Sequence, residues 1–316
     1  MAVGRRPLLI AYRALGLGDF LTGLPALRGL ARAFPRHRRV LAAPLALAPL
    51  AALTDAVELV TGTRALEPLP RELHDADLAV NLHGRGPESH RVLLNARPRR
   101  LIAFASRETG VDGPAWRARE HEVARWCRLL QSAGIPADPD DLALPPPAVN
   151  APPAAVGATL LHPGAASAAR RWPIERWVSV AAAEWAAGRR VVVTGNAEER
   201  RGAAAVAAGA ALPATVLLAG ETTLIELAAA VAAAARVVCG DTGVAHLATA
   251  LGTPSLLLFG PTAPAEWGPP LRRREHRVLW AGRRGDPHAK EPDHGLLAIT
   301  TERVLAELES MSAGRR

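Results

Sequence analysis

Lysine, cysteine and tyrosine are scarce in this chain. Lys290 is the sole lysine, so arginine carries nearly all of a formal charge of +8. Such a bias towards arginine, alanine, proline and glycine mirrors GC-rich coding and is weak evidence of function. A basic surface still favours anionic ligands or an anionic membrane face. No basic stripe is interleaved with aromatics, and pairs such as Arg99-Arg100 and Arg189-Arg190 are scattered, which argues against nucleic acid as a partner. The densest cluster, "LRRREH" from Leu271, reads as a solvated loop. Two cysteines, Cys127 and Cys239, exclude a disulfide framework, and nothing in their spacing suggests a metal.

Long apolar runs are missing as well. "PLLIAY" is too short for a signal peptide and reads as a first strand. The uncharged stretch from Gly202 to Gly220 is rich in alanine and broken by Pro213, which argues against a membrane span. The expected compartment is the reducing cytosol, with peripheral contact at the inner face of a membrane as the most that composition allows. Hydrophobic residues make up 49% and charged residues 22% of 316 positions, a globular composition with room for two cores. Only the ends, "MAVGRR" and "SAGRR", look loose.

What is present is alternation. Strand patterns at "LLIAYRA", "RVLAA", "VELV", "DLAVNLH" and "RLIAF" alternate with helical patterns at "FLTGLPALRGLARAF", "ESHRVLLNA" and "REHEVARWCRLLQSAG". Periodicity then vanishes in the proline-rich "ADPDDLALPPPAVNAPPAA", which reads as a linker. It resumes with strands at "GATLLHPG", "RRVVVTG", "ATVLLAG", "RVVCG" and "PSLLLFG", separated by helices. This is the pattern of βαβ units around parallel sheets. The expectation is an α/β chain of two Rossmann-like domains, residues 1–148 and 149–316, with a last helix at 300–311 packing back across the hinge.

Two strand-to-helix turns carry chemistry. In "GDTGVAHLATALG", Val244, Leu247, Ala248 and Leu251 form one helical face, which puts Thr242, His246 and Thr249 on the other. Asp241 has an ordinary role as an N-cap. Its place at the carboxyl end of a strand, before free helix amides, equally suits a phosphate-bearing ligand with hydroxyl groups for the carboxylate. Gly243 permits close approach to the backbone. In "ALGLGDFLTG", Gly16 and Gly18 precede Asp19 at a helix start; this dinucleotide-like signal is incomplete because Leu21 stands at the third glycine position. A cleft presenting Asp19 and Asp241 to one ligand is the resulting expectation.

"GLGDFLTGLPALRGLARAFP", "HPGAASAARRWPIERW", "TGNAEE" and "GDTGVAHLATALGTPSLLLFGPTAPAEWGP" together resemble glycosyltransferase family 9, the ADP-heptose:lipopolysaccharide heptosyltransferases. The resemblance runs in order from about Leu8 to Pro269. It implies a GT-B fold with the acceptor on the first domain and the donor on the second, and metal-independent, inverting transfer. The donor would be a nucleotide sugar such as ADP-heptose, and the acceptor a glycan or lipid-linked glycan. No cofactor, metal or nucleic-acid partner is implied, and a monomer is expected.

By the same resemblance Asp19 is the general base, with Gly16 and Gly18 in the acceptor-side loop. Either Arg170 or Arg171 neutralises the departing diphosphate, and Glu199 holds the ribose. Asp241 holds sugar hydroxyls, while Thr242, Gly243 and His246 line the diphosphate. Ala263 departs from the aspartate that the family often has there. A nucleotide-sugar epimerase on the same scaffold, and a non-catalytic nucleotide-sugar or nucleic-acid binding protein, are the alternatives.

Overall fold

The computed structural model describes residues 6–313; most of the two terminal stretches expected to be loose lies outside them. The chain divides into two units, Met1–Leu142 and Ala143–Arg316. In the first, β1 (Leu8–Tyr12), α1 (Leu17–Thr22), α2 (Leu24–Ala33), β2 (Arg38–Ala43), α3 (Ala48–Ala51), β3 (Leu59–Gly62), β4 (Leu78–Asn81), α4 (Glu88–Asn95), β5 (Leu101–Ile102) and α5 (Glu122–Ser132) follow in order. The five strands are parallel in the order β3-β2-β1-β4-β5. Strand order reverses between β1 and β4, where open α/β sheets bind ligands beyond the strands' carboxyl ends.

The second unit runs β6 (Thr159–His162), α6 (Ile174–Ala186), β7 (Val191–Val193), α7 (Arg200–Gly209), α8 (Leu224–Ala233), β8 (Arg236–Gly240), α9 (Gly243–Leu251), β9 (Ser255–Phe259), α10 (Pro264–Trp267), β10 (His276–Trp280), α11 (His294–Leu297) and α12 (Thr301–Ala313). Its sheet is also parallel, in the order β10-β9-β8-β6-β7, with the reversal between β6 and β8. Strands β6 to β9 are buried along their whole length, as expected when helices cover both faces of a sheet.

Several elements differ from the sequence reading. The expected helix from Phe20 to Phe34 is two helices meeting at Gly23, where an added Cβ would lie 3.2 Å from the Phe20 carbonyl oxygen and 3.3 Å from Arg13 Cδ. "ATVLLAG" is no sheet strand: it makes a short 3-10 turn and a single parallel bridge, Leu217 to Val193. "LRRREH" does begin as a loop, but its His276 opens β10, a strand whose charged residues hid it. In α9, Thr249 is buried rather than exposed on the face away from the core; its hydroxyl donates to the Ala245 carbonyl oxygen at 3.1 Å, and Arg273 donates to the Thr249 carbonyl oxygen at 2.7 Å.

The closing helix packs against the second unit, with Val304, Leu308 and Met311 in that unit's core. A buried ionic knot fixes it there. Arg236 on β8 donates to the Leu308 carbonyl oxygen at 2.7 Å and to Ser312 Oγ at 2.8 Å, and it pairs with Glu184 on α6. Glu184 also accepts from Thr159 at 2.6 Å and Arg189 at 2.7 Å. A fully buried carboxylate persists only with such complete pairing. Among the described residues no helix is long and apolar enough to cross a membrane.

Candidate active site

In the first unit, Asp19 is the third residue of α1, immediately beyond the carboxyl end of β1. Gly16 is the N-cap in extended conformation and makes no side-chain cap bond; Gly18 is half-buried in the first turn. The Asp19 side chain is 30% exposed and lies against Arg13, the residue after β1, with Nη2 to Oδ1 at 3.4 Å. Arg13 is itself buried. Its Nε donates to the Asp19 carbonyl oxygen and its Nη1 to that of Leu82, while Nη2 reaches Thr22 Oγ1 and Glu122 Oε1, each at 3.1 Å. The guanidinium lies 4.6 Å from the centre of the Trp126 ring, and Trp126 Nε1 donates to Glu122 at 2.9 Å.

Burial pushes the Asp19 carboxyl above its ordinary pKa. Arg13 pulls it back, and the charge of Glu122 pushes it up again. A carboxylate whose ionised form is thus burdened is a better proton acceptor than one in free solution. His83, just past β4, stacks on Tyr12 with ring centroids 4.7 Å apart; burial, with the charge of Arg13, holds its imidazole down to about 4.

In the second unit the reversal between β6 and β8 gathers the remaining residues. Asp241 directly follows β8 and is 5% exposed. It does not cap α9: Thr242 holds that position and makes no side-chain cap bond, so no side chain caps the first-turn amides, of which Ala245 N–H donates to the Thr242 carbonyl oxygen at 3.1 Å. Arg170 Nη1 donates to the Asp241 carbonyl oxygen at 3.3 Å and lies 3.9 Å from Oδ2; its Nε is buried with no hydrogen-bond partner among the described residues. Burial raises the Asp241 carboxyl, opposed by Arg170 and by a hydrogen bond with Thr262. His246 meets Trp267 edge to face, with centroids 5.8 Å apart.

A cavity of about 590 Å³ opens beside β6 and β7, lined by Gly164, Arg171, Trp172, Asn196, Glu199 and Arg201 among others. Asn196 and Glu199 bind each other reciprocally, backbone N–H to side-chain oxygen, at 2.9 and 2.8 Å. His162 Nε2 stands 3.7 Å from Glu199 Oε2, and its Nδ1 is 3.1 Å from Thr194 Oγ1. Burial lowers this histidine's pKa although Glu199 opposes the shift. Arg171 is anchored by Nε to the Ala165 carbonyl oxygen at 2.9 Å. The two adjacent arginines therefore face different surroundings, Arg170 beside Asp241 and Arg171 on the cavity wall.

Sequence reasoning missed Arg13, Glu122, His162 and Gly164. A charge ending the otherwise apolar strand "LLIAYR" was the one available sign of Arg13. Among the described residues no three or more His, Cys, Asp or Glu side chains group as metal ligands would.

A sequence model described as glycosyltransferase family 9 (heptosyltransferase) matches residues 105–294, more than half of the chain. The chain belongs to glycosyltransferase family 9. This family 9 chain is 33% identical over 151 residues to lipopolysaccharide heptosyltransferase 2 of Salmonella typhimurium, a segment covering 45% of this chain and 43% of that protein. The protein of the same name from Escherichia coli is 33% identical over 152 residues, with the same coverage. The alignments thus span less than half the length of these curated relatives.

Likeness of fold extends further. The structure of E. coli ADP-heptose lps heptosyltransferase II matches 98% of this chain and 99% of its own length, with a TM-score of 0.76 and 22% identity. The family 9 glycosyl transferase from Veillonella parvula matches 96% and 97%, with a TM-score of 0.76 and 17% identity. The family 9 chain accordingly has the expected α/β GT-B fold, and family membership does not favour the epimerase or binding-protein alternatives.

Proposed function

We propose that this protein is a heptosyltransferase: it moves heptose from a nucleoside-diphosphate donor, ADP-heptose, to a glycan or lipid-linked glycan acceptor with inversion at the anomeric carbon. The observation that carries this reading is that Arg170, Asp241 and Thr242 at the strand-order reversal of the second unit, and Arg171 and Glu199 on the cavity wall beside β6 and β7, all lie within the residues matched by the family. The second unit is the donor side and the first the acceptor side. Glu199 takes the ribose hydroxyls, as a carboxylate suits a diol. Arg170 and the first amides of α9 hold the diphosphate, and Asp241 accepts from sugar hydroxyls.

In the transfer step Asp19 accepts the proton of the acceptor hydroxyl while that oxygen bonds to the anomeric carbon. The bond from this carbon to the diphosphate oxygen breaks, and the departing charge is taken up by the guanidinium and helix amides. Arginine's planar fork suits a diphosphate.

The test is Asp19→Asn, assayed by ADP release from ADP-heptose with a panel of lipopolysaccharide-core oligosaccharides. Loss of a general base lowers turnover by on the order of 10²- to 10⁴-fold, while ADP binding by calorimetry stays unchanged. Undiminished turnover removes Asp19 from this role. A thermal-shift panel of ADP-, UDP-, GDP- and TDP-sugars reports the donor base, since a ligand that binds the native state raises its melting temperature.

A further inference from the structure

Arg13 joins three segments that are remote in sequence. It binds the backbone of α1 at Asp19, the backbone after β4 at Leu82, and the side chain of Glu122 at the start of α5. The absence of a side chain at Gly23 makes room for its stem, and Trp126 covers its face. No rotamer freedom remains in such a setting, so the guanidinium is a fixed reference for the Asp19 carboxylate. Lysine could not replace it, because the planar fork serves acceptors lying in different directions.

Charge in this cluster is balanced in a telling way. Arg13 and Arg125 face Asp19 and Glu122, with Arg125 paired to the far oxygen of Glu122. Glu122 Oε1 is nearer to Arg13 Nη2, at 3.1 Å, than Asp19 Oδ1 is, at 3.4 Å. When Asp19 takes a proton its charge is lost, and only Glu122 then compensates the buried Arg13. A buried guanidinium left without a counter-charge is costly, so without Glu122 the protonation of Asp19 would be resisted.

We propose that Arg13 and Glu122 are positioning residues for Asp19: the guanidinium fixes the carboxylate, and Glu122, by sharing the guanidinium, leaves that carboxylate free to accept a proton during transfer. The proposal rests on Asp19 being the general base. The charged and titratable groups facing Asp19 are Arg13 from the end of β1, Glu122 with Arg125 behind it from α5, and His83 from the end of β4, across Arg13. His83, held down to about 4, is uncharged through the neutral range and leaves the balance to the other three side chains.

The experiment uses full-length protein and the variants Glu122→Gln, Arg13→Gln and Arg13→Lys. The pH profile of turnover is measured with ADP-heptose and a core oligosaccharide, and the Asp19 carboxyl carbon is titrated by NMR without substrate. Removing the Glu122 charge moves the acid limb and the NMR midpoint to lower pH and lowers maximal turnover. Removing the Arg13 charge moves both to higher pH. Arg13→Lys keeps the charge but loses the fork, and turnover falls while the ADP-heptose KM holds.

A merely structural pair would lower melting temperature without shifts of opposite sign. An unmoved midpoint in Glu122→Gln, or shifts of the same sign in both charge-removing variants, overturns the proposal. If Arg13→Gln does not fold, Glu122→Gln and Arg13→Lys decide it alone. Full turnover in Asp19→Asn with the opposite NMR shifts intact would instead refute the general-base assignment while leaving the pair's hold on Asp19 in place.

Discussion

Replacing Gly164 by alanine places a methyl carbon 2.2 Å from Cδ of Glu199 and 2.3 Å from its Oε1. Ordinary contact begins at 3.4 Å, so the carboxylate must retreat by about 1.2 Å. Gly164 has no left-handed backbone angle to lose, and the collision is with the end of a flexible side chain, so the fold survives. What is lost is the Glu199 bond to the Asn196 amide, at 2.9 Å, and the carboxylate's place on the cavity wall. The hydrogen bond that a displaced Glu199 carboxylate can no longer accept from a ribose hydroxyl is worth about 1.5–3 kcal/mol, as for bonds to charged groups, and 1.4 kcal/mol is about tenfold in affinity. Gly164→Ala therefore weakens ADP binding by roughly ten- to hundredfold, comparable to Glu199→Ala, with a modest fall in melting temperature from the lost Asn196 bond. Isothermal titration with ADP reads this directly, with inorganic pyrophosphate as the ribose-free control. ADP affinity as in the wild type in Gly164→Ala, alongside a loss in Glu199→Ala, would refute the steric reasoning; no loss in either would remove Glu199 from the ribose.

Glu184→Gln leaves Arg236 with an uncompensated buried charge and should cost about 3–5 kcal/mol in chemical denaturation. Burial alone would raise the Glu184 pKa, but bonds from Arg189, Thr159 and Arg236 lower it overall. Its stabilising contribution is full above the unfolded pKa near ~4.3 and disappears as pH falls through the lower native value, so the variant should lose that acid-side slope. Asp241→Asn acts with the opposite sign: burial raises the native carboxyl, so ionisation costs stability at neutral pH and the cost fades on acidification. The unliganded variant should melt higher than wild type at pH ~7, and a lower melting temperature would contradict the burial argument. Burial pushes the thiols of Cys127 and Cys239 up to about 12. Neither should react with a thiol reagent in native protein at mildly alkaline pH, and both should react in denaturant.

Much of the donor side proposed for the second unit was written locally. The turn after "RVVCG" is short, so an aspartate, a threonine and a glycine there had to fall at the carboxyl end of β8 and the start of α9. The capping role of Asp241 was misplaced by one residue, because helix entry depends on backbone angles that composition does not reveal. β10 escaped notice because "HRVLW" begins with charge, and its partner β9 supplied the apolar context only after pairing. "ATVLLAG" had the opposite fault: the composition of a strand, but just one bridge to pair with.

The sequence alone determined the alternation of strand and helix and which short turns end in acidic residues, since these follow from periodicity and spacing along the chain, and its motifs carried the resemblance to the family whose model it matches. Tertiary structure alone decided that Arg13 is shared by Asp19 and by Glu122, which lies 109 positions from it along the chain. It also decided that Arg170 turns to Asp241 while Arg171 turns to the cavity. Burial and charge compensation are properties of three-dimensional neighbourhoods, and adjacent residues in a turn project into different ones.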